Sequence, residues 1–148
     1  MSVQDNATIA RSFYDAFNSR DFDRAAAFVA PECAWLNVPT GETWRGPGGL
    51  RQDMQGWATA FPDSKVEVTN LISAGDWVVV EFKGRGTHKG PLMGPTGQIP
   101  PTGRWLDLSF CDLIQFRNGK VVGGRSYFDV AGMLQQLGLM PAARQAGQ

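Results

Sequence analysis

Near residue 64 the apolar residues stop recurring at helical spacing and begin to alternate, a switch that commits the chain to helices and strands in separate stretches. Ahead of it, Ile9, Phe13 and Phe17 line one face of a first helix that Asp5 or Asn6 can cap. Asn18-Ser19-Arg20 breaks that helix. Asp21 caps a shorter one through Phe22, Ala26 and Val29, stopped by Pro31. A strand over 33–38 and a Pro39-Thr40-Gly41 turn follow. Pro47 then opens a third helix, striped by Leu50, Met54, Trp57 and Phe61 and ended by Pro62. Beyond the switch, 65–73, 77–87, 105–116 and 121–128 alternate as strands, and a closing helix over 130–137 has Gly138 as its end cap. The Pro/Gly-rich stretch 89–103 reads either as a lid over a site or as a passive crossover. This order predicts an α+β fold with helices packed on one face of a curved antiparallel sheet.

With 148 residues, 43% of them apolar, the chain has material for one domain and one core, its last ten or so residues forming a loose tail. Fourteen Lys and Arg balance fourteen Asp and Glu, so the basic surplus of a nucleic-acid binder is missing. No apolar run is long enough for a membrane span. The N-terminal stretch has no basic and apolar export pattern, which predicts a cytoplasmic protein in which the Asn6-Ala7-Thr8 triplet goes unglycosylated. His88 is the one histidine, and Cys33 and Cys111 are far apart, so no metal-ligand spacing exists and no cofactor is expected. Chemistry, if any, must rest on carboxylates, hydroxyls and one imidazole.

Asn118-Gly119 between two strands is a strong hairpin signal, because both positions tolerate positive φ. Counting outward from a two-residue turn pairs Phe116 with Val121, Ile114 with Gly123, Asp112 with Arg125, Phe110 with Tyr127 and Leu108 with Asp129. These residues share one mostly apolar face, which the helices should cover. Asp112, Arg125, Tyr127 and Asp129 are then polar groups on a core wall and need partners or a cavity. A bulge at Gly123-Gly124 would shift the assignments beyond it. Asp112 reads equally as a structural ion pair with Arg125 or as an acid/base group whose pKa burial raises and Arg125 lowers. Asp129 precedes the closing helix and reads foremost as its cap. Tyr127 is a wall residue with its hydroxyl in the cavity. His88, at a strand end, is either a turn residue or a proton carrier at a cavity mouth. Trp35, Asn37 and Tyr14 can reach a cavity or simply pack.

The run Gly-Thr-His-Lys-Gly at 86–90, Pro-Pro-Thr-Gly-Arg at 100–104, Asp112 with Phe116, Asn-Gly-Lys-Val-Val at 118–122 and Phe-Asp-Val-Ala-Gly-Met-Leu-Gln-Gln-Leu-Gly at 128–138 together resemble the SnoaL-like polyketide cyclases of the nuclear-transport-factor-2-like superfamily. The resemblance implies a cone-shaped fold in which sheet and helices enclose a deep cavity, and a homodimer through the outer sheet face. It also implies ring closure by an intramolecular aldol step with acid/base side chains and no cofactor. Where many cyclases carry a key carboxylate after the hairpin, this chain has Ser126. The hairpin is also similar to that of ketosteroid isomerases, in which a protonated Asp matching Asp112 helps form an oxyanion hole. The isomerase base would fall near Asn37 and its tyrosine near Phe13.

These readings converge on a cyclase or isomerase for a small apolar carbonyl-bearing substrate, with Asp112 moving the proton next to the carbonyl, His88 as its partner and Arg125 tuning it. Arg125, Tyr127, Asn37, Trp35, Tyr14 and Asp129 would line the substrate site, under a lid over 90–103. A hydrolase or dehydratase in the same cone, and a binding module without chemistry, are the alternatives.

Overall fold

The computed structural model describes residues 3–94 and 96–141. Helices α1 (Val3–Asn18), α2 (Phe22–Ala26) and α3 (Gly46–Ala60) are interleaved with strands β1 (Val29–Asn37) and β2 (Glu42–Arg45). Strands β3 (Lys65–Ala74), β4 (Trp77–Thr87), β5 (Leu92–Gly94), β6 (Gly97–Ile99), β7 (Trp105–Arg117) and β8 (Lys120–Phe128) follow, and α4 (Val130–Gln136) closes the fold. Helix α1 begins ahead of Asp5 and Asn6, so neither is its cap. Asp21 does cap α2, accepting from the Arg24 N–H at 3.2 Å. That helix ends at Ala26, and the chain is already extended at Val29, so Pro31 lies inside β1 rather than stopping a helix. The proline is tolerated because the ladder to β8 is interrupted between Val29 and Ala34.

Six strands form one curled sheet in the order β2-β1-β8-β7-β4-β3. All pairings are antiparallel except that of β1 with β8, which brings the first strand beside the last. Irregularities in β3 after Val68 and in the β7–β8 ladder after Gln115 bend the sheet as extra residues do. Helix α1 lies against β3 and α3 against β1, covering the concave face. Apolar residues from both layers, among them Ile9, Leu50, Val80, Ile114 and Val121, form the core between them. A second apolar cluster joins the end of α3 to β7 and α4 through Phe61, Leu106, Leu108 and Met133.

The stretch between β4 and β7 carries the small β5–β6 hairpin and is pinned in place. Lys89 and Gly90 N–H groups donate to the Ala60 carbonyl at 3.0 and 3.1 Å, and Leu92 is buried in the second cluster. None of its described residues lines the cavity set out below, so it is no lid. Asp129 caps α4, accepting from Gly132 N–H at 2.9 Å. Gly138, at φ 76°, ends that helix with Leu139 N–H returning to the Leu134 carbonyl at 2.8 Å. The tail beyond Pro141 lies outside the described residues. Among those residues no helix is long and apolar enough to cross a membrane.

Candidate active site

Even-numbered residues of β7 face the helices, as alternation along a strand requires: Leu106, Leu108, Phe110, Asp112, Ile114 and Phe116. Asp112 is thus a carboxylate set in an apolar wall, only 6% exposed. From α1, across 98 residues of sequence, Tyr14 Oη donates to Asp112 Oδ2 at 2.8 Å. Oδ1 of the same carboxyl is buried and has no hydrogen-bond partner among the described residues. Burial raises the Asp112 pKa to about 6, opposed by the Ser126 and Tyr14 hydroxyls. Burial and the neighbouring Asp112 charge hold the Tyr14 phenol well above its ordinary value, so it stays a donor.

These groups line a cavity of about 980 Å³, counted through to its open mouth. Phe13, Phe17, Trp35, Trp57, Phe61, Phe82 and Phe110 make most of its wall. Phe82 and Phe110 lie parallel with centroids 4.9 Å apart, over Gly84, where a Cβ would come within 3.0 Å of the Phe110 ring. Besides Asp112 and Tyr14, polar residues are few: Asn37 and Ser126 from the β1–β8 pair, Ser64, Asp53 from α3, and Arg85 of β4, whose guanidinium is paired with Glu67 and Asp107. Asn37 Nδ2 donates to Asp53 Oδ1 at 3.3 Å. Burial raises the Asp53 pKa to about 7; the Asn37 and Trp57 contacts pull it down while the charges of Asp112 and Glu42 push it up.

Of the residues expected at the site, Asp112, Tyr14, Asn37 and Trp35 meet in this cavity, and four others stand elsewhere. The hairpin turn forms as expected, with Asn118 at φ 52° and Gly119 at φ 74°, and Phe116 pairs with Val121. The next pair is Gln115 with Gly123, so Val122 is an extra residue and every later side chain changes face. Ser126, not Arg125, therefore lies opposite Asp112. Arg125 points to the outer face of the sheet, where its Nε donates to Tyr127 Oη at 2.9 Å and its guanidinium lies over the Trp77 ring at 5.6 Å. Tyr127 is outside too, and 41% exposed. Asp129 serves as the α4 cap. No Asp112–Arg125 ion pair exists.

His88 is fully buried and does not line the cavity. Thr102 N–H donates to its Nδ1 at 3.2 Å, the Thr102 hydroxyl lies 3.0 Å from the same nitrogen, and the ring packs on Phe61 at 5.3 Å. An Nδ1 that accepts leaves the proton on Nε2, and burial pushes the imidazole pKa down, so His88 is a neutral tie between β4 and the following loop. Asp53 is the group that sequence reasoning overlooked. Its signal was a carboxylate three residues after Leu50 and four before Trp57, inside the apolar stripe of α3. Among the described residues no cluster of three His, Cys, Asp or Glu side chains is placed to hold a metal ion.

A curled sheet closed by helices over an apolar cavity is the α+β architecture of nuclear-transport-factor-2-like proteins. Within it, the family model for SnoaL-like polyketide cyclases matches residues 7–137, and the chain belongs to that family. Solved structures agree. IdmH from Streptomyces antibioticus, named as a candidate polyketide cyclase, is 28% identical, with TM-score 0.73 over 90% of this chain and 98% of its own. AclR from Streptomyces galilaeus, named as a candidate hydroxylase, is 22% identical, with TM-score 0.81 over 97% of this chain and 91% of its own. A protein of ketosteroid-isomerase-like fold from Catenulispora acidiphila is 18% identical, with TM-score 0.74 over 93% and 96%. At these lower identities the likeness shows the fold alone.

Proposed function

We propose that this chain is a cytoplasmic, cofactor-independent acid/base enzyme that acts on a small apolar carbonyl compound in the manner of a cyclase or isomerase. The observation that carries this reading is the buried Asp112 carboxyl, with one oxygen held by Tyr14 and the other unpartnered, in the wall of an aromatic-lined cavity. A carboxylate buried in an apolar wall is a stronger base than one in solution, and its raised pKa expresses that. Tyr14 fixes its orientation while leaving Oδ1 for substrate. The apolar wall offers few groups that could quench a carbanion or enol formed beside it. IdmH, which covers the same fold and carries a polyketide cyclase name, supports the same reaction class.

The test is Asp112→Asn. Turnover of a carbonyl panel should fall by at least about 100-fold with the fold intact by circular dichroism, the usual contribution of one acid/base group. Full retained activity would remove Asp112 from the chemistry. The proposal extends to assembly. The outer sheet face presents Trp77, Leu113, Arg125 and Tyr127, which suit a self-complementary contact between two copies. Sedimentation equilibrium should then return twice the 16.1 kDa chain mass, and a monomer at micromolar concentration would refute it.

A further inference from the structure

The acid/base reading leaves one role empty. A base that removes a proton next to a carbonyl needs a donor for the oxygen, and His88, the expected partner, is tied up outside the cavity. We propose that Asp53 of α3 is that donor: it protonates the carbonyl oxygen of the substrate as Asp112 removes the neighbouring carbon-bound proton. The inference rests on the acid/base reading of the same cavity and assigns a second catalytic residue to it.

Three observations place Asp53 in this role. It lines the cavity with Asp112, yet the two come from different layers, α3 and β7, so a substrate between helix and sheet meets one on each side. Its donors are neutral, the Asn37 amide with Nδ2 at 3.3 Å and the Trp57 indole N–H, and they steady the carboxyl without supplying a charge that would keep it ionised. Among the described residues no Lys or Arg forms an ion pair with it, and the charged groups that face it are Asp112 from β7 and Glu42 from β2, both acidic. Two carboxyl groups lining one apolar space disfavour each other's charge, and the proton is held more firmly by the one less well solvated by donors. Asp112 has the Tyr14 phenol at 2.8 Å and the Ser126 hydroxyl; Asp53 has the longer Asn37 amide contact, at 3.3 Å, and the Trp57 indole N–H. Asp53 therefore holds the proton while Asp112 is ionised, in keeping with its higher pKa, about 7 against about 6.

The step balances without any co-reactant. The C–H bond next to the carbonyl breaks and its proton goes to Asp112 Oδ1. The electron pair moves into the new C=C bond, and the carbonyl oxygen takes the proton of Asp53. Reversal returns the oxygen-bound proton to Asp53 and the carbon-bound one from Asp112, at the same carbon in simple exchange or at another in an isomerisation. In a ring closure the enol carbon bonds to a second carbonyl carbon instead. The oxygen of that second carbonyl takes the proton from Asp112 while the enol O–H returns its own to Asp53.

The experiment uses the full chain with 2-tetralone as probe, following loss of its α-proton signals in D2O by NMR from pH 5 to 9, with binding monitored by tryptophan fluorescence. Wild type should exchange with a bell-shaped profile whose limbs belong to the coupled pair of carboxyls. Asp53→Asn, close to isosteric, should bind the probe, lose about 100-fold in exchange rate and lose the alkaline limb, while Asp53→Glu restores a measurable part of both. A purely structural Asp53 would change the melting temperature and leave the profile bell-shaped. Exchange by Asp53→Asn at the wild-type rate with both limbs overturns the inference but leaves Asp112 as base. Bound probe with no exchange in wild type overturns the acid/base reading itself. A carbon-13 titration of labelled aspartates decides Asp53 independently of any probe: a midpoint near 7 that drops in Asp112→Asn supports the pairing, and a midpoint near 4 overturns it.

Discussion

Tyr14→Phe removes one of the two hydroxyls that act on Asp112 and leaves the other, Ser126, in place. The substitution keeps the ring, so its packing on Phe82, with centroids 4.9 Å apart, survives, and only the hydroxyl that donates to Oδ2 at 2.8 Å is lost. A hydrogen bond to a charged group contributes about 1.5–3 kcal/mol, against about 1 kcal/mol for a neutral one. The difference between the two forms, about 0.5–2 kcal/mol at about 1.4 kcal/mol per pH unit, should raise the Asp112 midpoint by about 0.4 to 1.4 units from its present value. The sign of the stability effect follows. A carboxyl whose pKa is about 6 in the fold and about 4 unfolded binds its proton more tightly when native, so its contribution is greatest at acid pH and is lost as pH rises toward 6. In the variant that loss should continue to about pH 6.5–7.5. Urea denaturation should therefore find Tyr14→Phe less stable than wild type by about 1 kcal/mol at pH 4.5 and by about 1.5–3 kcal/mol at pH 8.5. Equal destabilisation at both pH values would refute the claim that Tyr14 acts on the ionised form of Asp112.

Two other substitutions probe the frame around the site. His88→Ala should lower the unfolding free energy by about 2–3 kcal/mol, through its lost Thr102 contacts and the space left beside Phe61, with turnover within a factor of about two of wild type; a large fall in kcat without loss of stability would return His88 to the chemistry. Gly124→Ala would set a Cβ 2.4 Å from the Trp35 ring and 2.7 Å from the Leu113 carbonyl. It should cost about 1–3 kcal/mol in urea melts and weaken ligand binding by displacing Trp35 into the cavity; an unchanged midpoint would mean that the bulge relaxes freely.

What was legible in the sequence divides at Val122. The helices, the long strands and the Asn118-Gly119 turn announce themselves through period and turn chemistry, and Asp112 stands on β7, where alternation runs unbroken. Arg125, Tyr127 and Asp129 lie past an extra residue whose insertion no pattern marks, since adjacent glycines allow a bulge without requiring one. The bulge is decided in three dimensions: it turns Gly124 inward, where the Trp35 ring needs the room of a missing side chain. Asp53 escaped notice for a different reason. A helix stripe is found by its apolar members, and one acidic residue within it looks like solvent-facing decoration until the sheet closes over it. His88 seemed a chemical residue because it was alone. Its neighbours Thr102 and Phe61 come from distant segments that folding brings around it.

The parallel seam between β1 and β8 also bears on how the molecule comes into being. Tyr14 and Asn37 leave the ribosome long before Asp112 and Ser126, and the Tyr14–Asp112 bond spans 98 residues. No nascent chain that stops short of β7 can hold the site, and contacts this distant in sequence close late and slowly. A completed site is thereby a mark of the whole domain: a molecule in which Tyr14 reaches Asp112 has docked its first helix against a strand made near the end of synthesis.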